Sequence, residues 1–260
     1  MKFKPCITYS PGDKTYKEWI DFAVDNGFEC MEIAVGIMPQ EAEKQDEIIN
    51  YAKEKGLSLS LHSYFGPNNI ADTDIENRKK SVKEAKYSID LAKKHNLETV
   101  TFHPGRLSKE DESVMEKWGV LMDSVREIAE YAKEQKVKVG IENMEKRPYE
   151  FVFTIDDLNR FVEFGADNPY FGVTIDFAHF SSLGITAPDL KKLKLPVYNV
   201  HLSQGVPGKM HFPLTIENGL VNVESVVKVL NDYGYDGRVV FETGEPYVES
   251  RDIFVEVANK

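Results

Sequence analysis

The alternation of two hydrophobic periods along the whole chain constrains the fold most. Short β-like runs recur at CITYS (6–10), FECMEIAV (28–35), LSLSLHS (57–63), TVTFHPG (99–105), KVGIENM (138–144), FGVTIDFAH (171–179), VYNVHLS (197–203) and RVVFETG (238–244), eight in all. Between them lie segments with apolar residues three and four apart, such as SVKEAKYSIDLAKKH (81–95) and SVREIAEYAKE (124–134), which read as amphipathic helices. DNGFEC, KEKGLSL and NDYGYDGRVV place a glycine where a helix stops and a strand follows, so that it can serve as a left-handed cap. Eight strand-then-helix units in 260 residues imply a single α/β domain, residues 1–260, built as a closed (β/α)8 parallel barrel with helices outside. An open doubly wound sheet is the alternative. Neither glycine-rich phosphate-binding motif is present.

Side chains on a strand alternate between faces, so each run divides in two. Leu57, Leu59 and Leu61 oppose Ser58, Ser60 and His62; Val100 and Phe102 oppose Thr99, Thr101 and His103. Val139 and Ile141 oppose Gly140 and Glu142; Val173 and Ile175 oppose Thr174 and Asp176. Val200 and Leu202 oppose Asn199 and His201, and Val239 and Phe241 oppose Val240 and Glu242. The greasy face packs on the helices. The small or polar face points into the barrel and carries one metal-capable side chain near the C-terminal end of each strand, where barrel enzymes build their active sites.

Taken singly, each of these residues has a structural explanation, since a strand-end histidine is commonly just hydrogen-bonded. Three convergent carboxylates are different. Buried Asp and Glu require a partner, and without a cation they repel one another and resist ionisation. A divalent metal removes the conflict, and imidazole beside carboxylate suits zinc, manganese or iron. His179 and His211 extend the constellation at the barrel mouth, whereas His95, at the helix end KKHNLE, complements the helix dipole.

Composition narrows the partners. The net charge of -11, from 43 acidic and 32 basic residues, leaves no general footprint for a polyanion. No apolar run is long enough to span a bilayer, and MKFKPCITYS lacks a signal-peptide core, so a cytoplasmic protein is expected. Cys6 and Cys30 form no C-x-x-C and read as two small buried thiols in a reducing compartment, not as a disulfide framework.

With these residues in place, HSY (62–64), FHPG (102–105), IEN (141–143), ID-x-x-H (175–179), VHL (200–202) and ET (242–243) resemble the xylose isomerase-like TIM-barrel superfamily. That group includes the sugar phosphate isomerase/epimerase relatives and endonuclease IV, within AP endonuclease family 2. The resemblance spans essentially the whole chain. To endonuclease IV it implies three metals: His62, His103 and Glu142 on one; Glu142 as a bridge to a second completed by Asp176, His201 and Glu242; His179 and His211 on a third. The remaining family ligand, an aspartate two residues before the second of those histidines, is Lys209 here, whose ammonium opposes a third cation. To the isomerases and epimerases it implies one metal on Glu142, Asp176, His201 and Glu242. The N-R-x-E continuation of the epimerases is replaced by ENMEKRP, while Glu32 in FECMEIAV matches the isomerase-like relatives.

Two functions follow from this resemblance. The first is a divalent-metal-dependent isomerase or epimerase of a small sugar, sugar phosphate or related hydroxycarbonyl compound. It would hold one to two Mn²⁺ or Zn²⁺ ions, with Glu142 and Glu242 moving the carbon-bound proton and His179, His211, Glu32 and Lys209 contacting substrate. Arg106 reads as a solvated loop charge, and no membrane partner is expected. The alternative is an endonuclease IV-like zinc phosphodiesterase acting at abasic sites, the one reading that calls for nucleic acid as a partner. It is supported by His62 and His103, which a one-metal isomerase does not need. A non-catalytic metal-binding barrel forms a third class.

Overall fold

The computed structural model describes residues 2–64, 67–109 and 111–260. The eight expected runs form the parallel strands of a closed barrel: β1 (Lys4–Thr8), β2 (Cys30–Ala34), β3 (Ser58–His62), β4 (Thr99–Phe102), β5 (Lys138–Glu142), β6 (Phe171–Asp176), β7 (Val197–Leu202) and, last in sequence, β10 (Arg238–Phe241), which closes against β1 and β7. The open-sheet alternative is thereby excluded. Around the barrel run α1 (Tyr16–Asp25), α2 (Ala42–Glu54), α3 (Ile75–His95), α4 (Val114–Gln135), the short α5 (Ile155–Asn159), α6 (Val162–Gly165) and α7 (Phe177–Ser181), then α8 (Val223–Tyr233) and α9 (Tyr247–Ala258).

Local chemistry sets the helix ends. The Thr15 hydroxyl accepts from Glu18 N while the Glu18 carboxylate accepts from Thr15 N, a reciprocal box that starts α1. Asp74, Ser113 and Asn222 cap α3, α4 and α8 in the same way with one side-chain oxygen. The expected left-handed glycines are present, with Gly27 at φ 74°, Gly56 at 90° and Gly234 at 87°.

The two strand faces separate as the alternation implies. Leu59, Leu61, Val100, Val139, Ile141, Val173, Ile175, Val200, Leu202, Val239 and Phe241 all belong to the main apolar cluster between sheet and helices. Each such fully buried side chain contributes roughly 1.5–3 kcal/mol. Inside the barrel a smaller cluster, Cys6, Cys30 and Val240, stands apart. Above it lies a polar layer: Ser60 Oγ and Asn199 Nδ2 donate to Glu32 Oε2 at 2.9 and 2.7 Å, and Thr101 and Thr174 hydroxyls meet at 2.9 Å. Gly140 makes room for that layer, since a Cβ there would stand 2.5 Å from Thr174 Oγ1.

Three departures from the sequence reading have physical causes. Cys6 and Cys30 are not free thiols: they sit opposite each other in the β1–β2 register, Cα atoms 4.5 Å apart, and are joined as a disulfide. Burial is legible in the sequence, but which two interior positions become neighbours depends on register. After β6 the chain makes only α7 and a 3₁₀ turn (Leu190–Lys192), because Gly184 turns at φ 74° and Pro188 follows. The loop after β7 contains an antiparallel hairpin, β8 (Gln204–Val206) and β9 (Lys209–Phe212), turned by Pro207 and Gly208 at φ 79°. Among the described residues no helix is long and apolar enough to cross a membrane.

Candidate metal and active site

The barrel closes the six strand-end residues onto one another. Asp176 and His201 pair directly across the β6–β7 register, and His103 and Glu242 stand one residue past the ends of β4 and β10. Glu142, Asp176, His201 and Glu242 can each direct one donor atom to a point, those atoms all lying within 4.8 Å of one another. His62, His103 and Glu142 form a second such group, and Glu145, His179 and His211 a third.

The quartet is held in place from outside. The Nε2–H of His201 donates to Glu32 Oε1 at 2.7 Å, which leaves Nδ1 facing Glu142 Oε1 at 3.1 Å and Glu242 Oε2 at 3.0 Å. A carboxylate behind an imidazole is the usual device for fixing the tautomer and orientation of a metal-binding histidine. Asp176 ends β6 and caps α7: its Oδ1 accepts from His179 N at 2.7 Å, while its Oδ2 is buried and has no hydrogen-bond donor among the described residues. The side chain of Asn143 clasps the same strand end, donating to Asp176 O at 3.0 Å and accepting from Asp176 N at 2.9 Å. An acceptor without a donor, beside two more carboxylates and an imidazole lone pair, fits a divalent cation.

The second group shares Glu142. His62 donates Nδ1–H to Ser63 O at 2.9 Å, which directs Nε2 toward Glu142 Oε2 at 3.4 Å, and His103 Nε2 approaches the same oxygen at 3.2 Å. His179, buried in α7, donates Nδ1–H to Asn143 O at 2.8 Å, and its Nε2 faces His211 Nε2 at 3.4 Å. Lys209, at the start of β9, is exposed and does not line the cavity at the mouth. Glu32 is buried beneath His201, although its edge reaches that cavity. Arg106 borders a separate surface hollow with Arg147 and Glu150.

The electrostatics follow from crowding acids and imidazoles out of water. Burial pushes the Glu142 carboxyl up, but His201, His103 and His62 outweigh it and hold it well below the usual range. Glu242 is lowered in the same way, burial being overcome by His201 and His211. Asp176 goes the other way, because burial exceeds the attraction of His179 and His211. Burial opposes charge on His62, yet Glu142 raises it to about 9, and Glu32, Glu142 and Glu242 lift His201 well above its ordinary value. Without a cation, protons on imidazole supply the compensating positive charge, and a metal would displace them.

Above these candidate ligand groups the barrel mouth holds a cavity of ≈ 250 Å³, bordered by Tyr9, Glu32, His62, His211, Glu242 and Thr243 among others. Of the quartet, Glu242 alone lines it, with 32% of its side chain exposed, whereas Glu142 is 1% exposed. Asn143, Asn199 and Glu145 also belong to this region and were not singled out from sequence as site residues. Asn199 shares the inward face with His201 and could have been found by that alternation, but Asn143 and Glu145 lie past the end of β5, where the strand pattern stops.

A profile of the family described as xylose isomerase-like TIM barrel matches residues 20–257. An inosose isomerase from Halalkalibacterium halodurans is 25% identical over 246 residues, covering 87% of this chain and 82% of that protein. Among solved structures, a D-tagatose 3-epimerase-like protein superposes with a TM-score of 0.80 at 21% identity, over 99% of this chain and 98% of the other. The IolI protein with a bound zinc atom superposes at 0.72 and 16% identity, over 99% and 98%. The structural likenesses carry the fold, and the profile, which spans nearly the whole sequence, carries the membership: the chain belongs to the xylose isomerase-like TIM-barrel family.

Proposed function

We propose that the protein is a divalent-metal-dependent isomerase or epimerase of a small sugar or related hydroxycarbonyl compound. The observation that carries this reading is the quartet Glu142, Asp176, His201 and Glu242, one member of which, Glu242, lines a cavity of ≈ 250 Å³. That volume lies below the roughly 300–1,000 Å³ of sites for drug-sized ligands and suits a compact polyol. The likeness to an inosose isomerase and to an epimerase-like barrel supports the same class.

A divalent ion on the quartet, Mn²⁺ or Zn²⁺, would supply Lewis-acid polarisation of the substrate carbonyl and its neighbouring hydroxyl. The chain's own residues do the rest. Glu242 faces the cavity and, held ionised by His201 and His211, takes the proton from the carbon beside the carbonyl. Return of that proton by Glu242 to the neighbouring carbon, with a proton passing from the hydroxyl oxygen to the carbonyl oxygen, gives aldose–ketose isomerisation; epimerisation would instead need a different proton delivered to the opposite face by a protonated Glu142, whose carboxyl is held well below the usual range. Glu142 is shut behind His62, His103 and His201, which favours the one-base course. His211 lines the cavity and is placed to hold a substrate hydroxyl, with His179 behind it. Lys209, exposed at the start of β9 and outside the cavity lining, is given no substrate contact in this reading. The test is a panel of aldose, ketose and inosose substrates with metal-stripped and reloaded protein: turnover should require metal and vanish in Glu242→Gln, and undiminished turnover in that variant would sink the assignment.

A second reading rests on His62 and His103, both aimed at Glu142 Oε2, since they make a metal group beside the quartet that suits a multinuclear phosphodiesterase. Metal-dependent nicking of an abasic-site duplex would establish it.

A further inference from the structure

We propose that the end of the barrel opposite the candidate active site carries an anion site, built on the Arg238 guanidinium, for a small molecule bearing a phosphate or carboxylate. The site lies at the N-terminal ends of the strands, whereas Glu142, Asp176, His201 and Glu242 lie at their C-terminal ends, so it stands apart from the reaction proposed above.

Arg238 opens β10 and shares its inward face with Val240, below the cluster of Cys6, Cys30 and Val240. Strands β10 and β4 are four places apart in the ring of eight and so face each other across the barrel. The Arg238 side chain crosses that width, because its Nη2 lies 2.5 Å from Oε2 of Glu98, the residue just before β4. The side chain is only 2% exposed, yet neither Nη1 nor Nη2 has a hydrogen-bond acceptor among the described residues, the Glu98 carboxylate being close to Nη2 but off the line of its N–H bonds. A buried guanidinium is costly unless its N–H groups are taken up, and its planar fork matches the paired oxygens of a phosphate or carboxylate.

A hollow of ≈ 610 Å³ opens at this end of the barrel, with Arg238 on its border beside Glu98, Lys136, Lys138, Tyr198 and Tyr233. That volume falls within the roughly 300–1,000 Å³ of small-molecule sites. The aromatic walls are fixed by their hydroxyls: Tyr198 donates to Pro169 O at 2.5 Å, Tyr233 accepts from Val197 N at 3.3 Å, and Tyr235 donates to Arg238 O at 2.7 Å. Three cations, Lys136, Lys138 and Arg238, against two acids, Glu98 and Asp236, make the border net positive in a chain whose net charge is -11. Lys138 Nζ is held over the Tyr198 ring, 5.1 Å from its centroid, as a second charge on the wall. Glu98 is the movable piece. Half of its side chain is exposed, so it can swing to water and yield its place at Nη2 to an anion that offers one oxygen to each Nη.

Glu98 therefore competes with the ligand, which gives the test its direction. Inorganic phosphate is titrated calorimetrically into the metal-stripped full chain and into Arg238→Gln, Lys138→Gln and Glu98→Gln, and a parallel titration with succinate distinguishes a carboxylate ligand from a phosphate. The unmodified chain should bind one of these anions saturably. Arg238→Gln should bind it about tenfold or more weakly, the effect of losing a hydrogen bond to a charged group. Lys138→Gln should bind it about two- to fivefold more weakly, the scale of one exposed charge. Glu98→Gln should bind it more tightly than the unmodified chain, whereas an Arg238–Glu98 pair that only braces the barrel floor predicts no gain. Far-UV circular dichroism identifies any variant that fails to fold, and if Arg238→Gln does, the two surface variants decide. No saturable binding of either anion, or unchanged affinity in folded Lys138→Gln and Glu98→Gln proteins, would overturn the site, whatever the sugar panel shows.

Discussion

Replacing Glu32 by Gln probes how the proposed metal site is built without touching a proposed ligand. Glu32 is 2% exposed and accepts three hydrogen bonds, from His201 Nε2 at 2.7 Å, Asn199 Nδ2 at 2.7 Å and Ser60 Oγ at 2.9 Å. Its charge steadies the imidazole that must direct Nδ1 between Glu142 and Glu242. Glutamine keeps the shape but removes the charge, and its NH₂ cannot accept from the groups that now donate to both oxygens. Loss of such an outer partner typically weakens metal binding 10–100-fold, about 1.4–2.7 kcal/mol. Chelator competition with Zn²⁺ or Mn²⁺ on the folded variant should show this loss, while Ser60→Ala, which removes one bond to the same carboxylate, should show a smaller one. Affinity within twofold of the unmodified protein would refute the claim that Glu32 positions His201.

Gly140→Ala should destabilise the fold by about 1–3 kcal/mol in urea titration, because its Cβ would press on Thr174 Oγ1 and the Thr174 backbone N inside the barrel. Burial raises the Glu150 carboxyl from 4.5 to about 7, with Arg106 and His179 opposing. The folded chain therefore keeps a proton that the unfolded chain releases between those values, so stability falls as pH rises through that window. Glu150→Gln should match the parent near pH 4 and exceed it above pH 7 by about 1–2 kcal/mol, the full shift of roughly 3 kcal/mol being reduced by solvent screening. A thermal melt series in pH distinguishes the two proteins. Adding Zn²⁺ at about 100 times its Kd should stabilise the stripped protein by about 2.7 kcal/mol, seen as a higher Tm that chelator reverses.

Much of the site was readable because the period of two is strict. Once the greasy residues of β3 to β7 and β10 are assigned outward, His62, Glu142, Asp176 and His201 must point inward, and a closed barrel must bring them together. His103 and Glu242 follow by extending the same alternation one residue past their strands. Glu145 is different: it sits on an irregular loop whose path depends on tertiary ties to Ser182 and Val152, and no local period encodes it. Glu32 was visible as an inward strand residue, but its partner across the barrel, His201, is 169 positions away and emerges only on closure. The Cys6–Cys30 bond was missed for the same reason, since register, not spacing, makes those residues neighbours.

The central claim is that Glu242 moves a carbon-bound proton of a small sugar at a metal held by the quartet. Its most direct measurement is the reaction in D₂O of metal-reloaded protein with a ketose or inosose substrate, followed by proton NMR at the carbon beside the carbonyl. Metal-dependent deuterium incorporation, lost in a Glu242→Gln protein that keeps its fold, is the predicted result. Product formed without deuterium at an undiminished rate in Glu242→Gln, or no proton exchange at all in fully metal-loaded protein that nicks an abasic-site duplex, would contradict it.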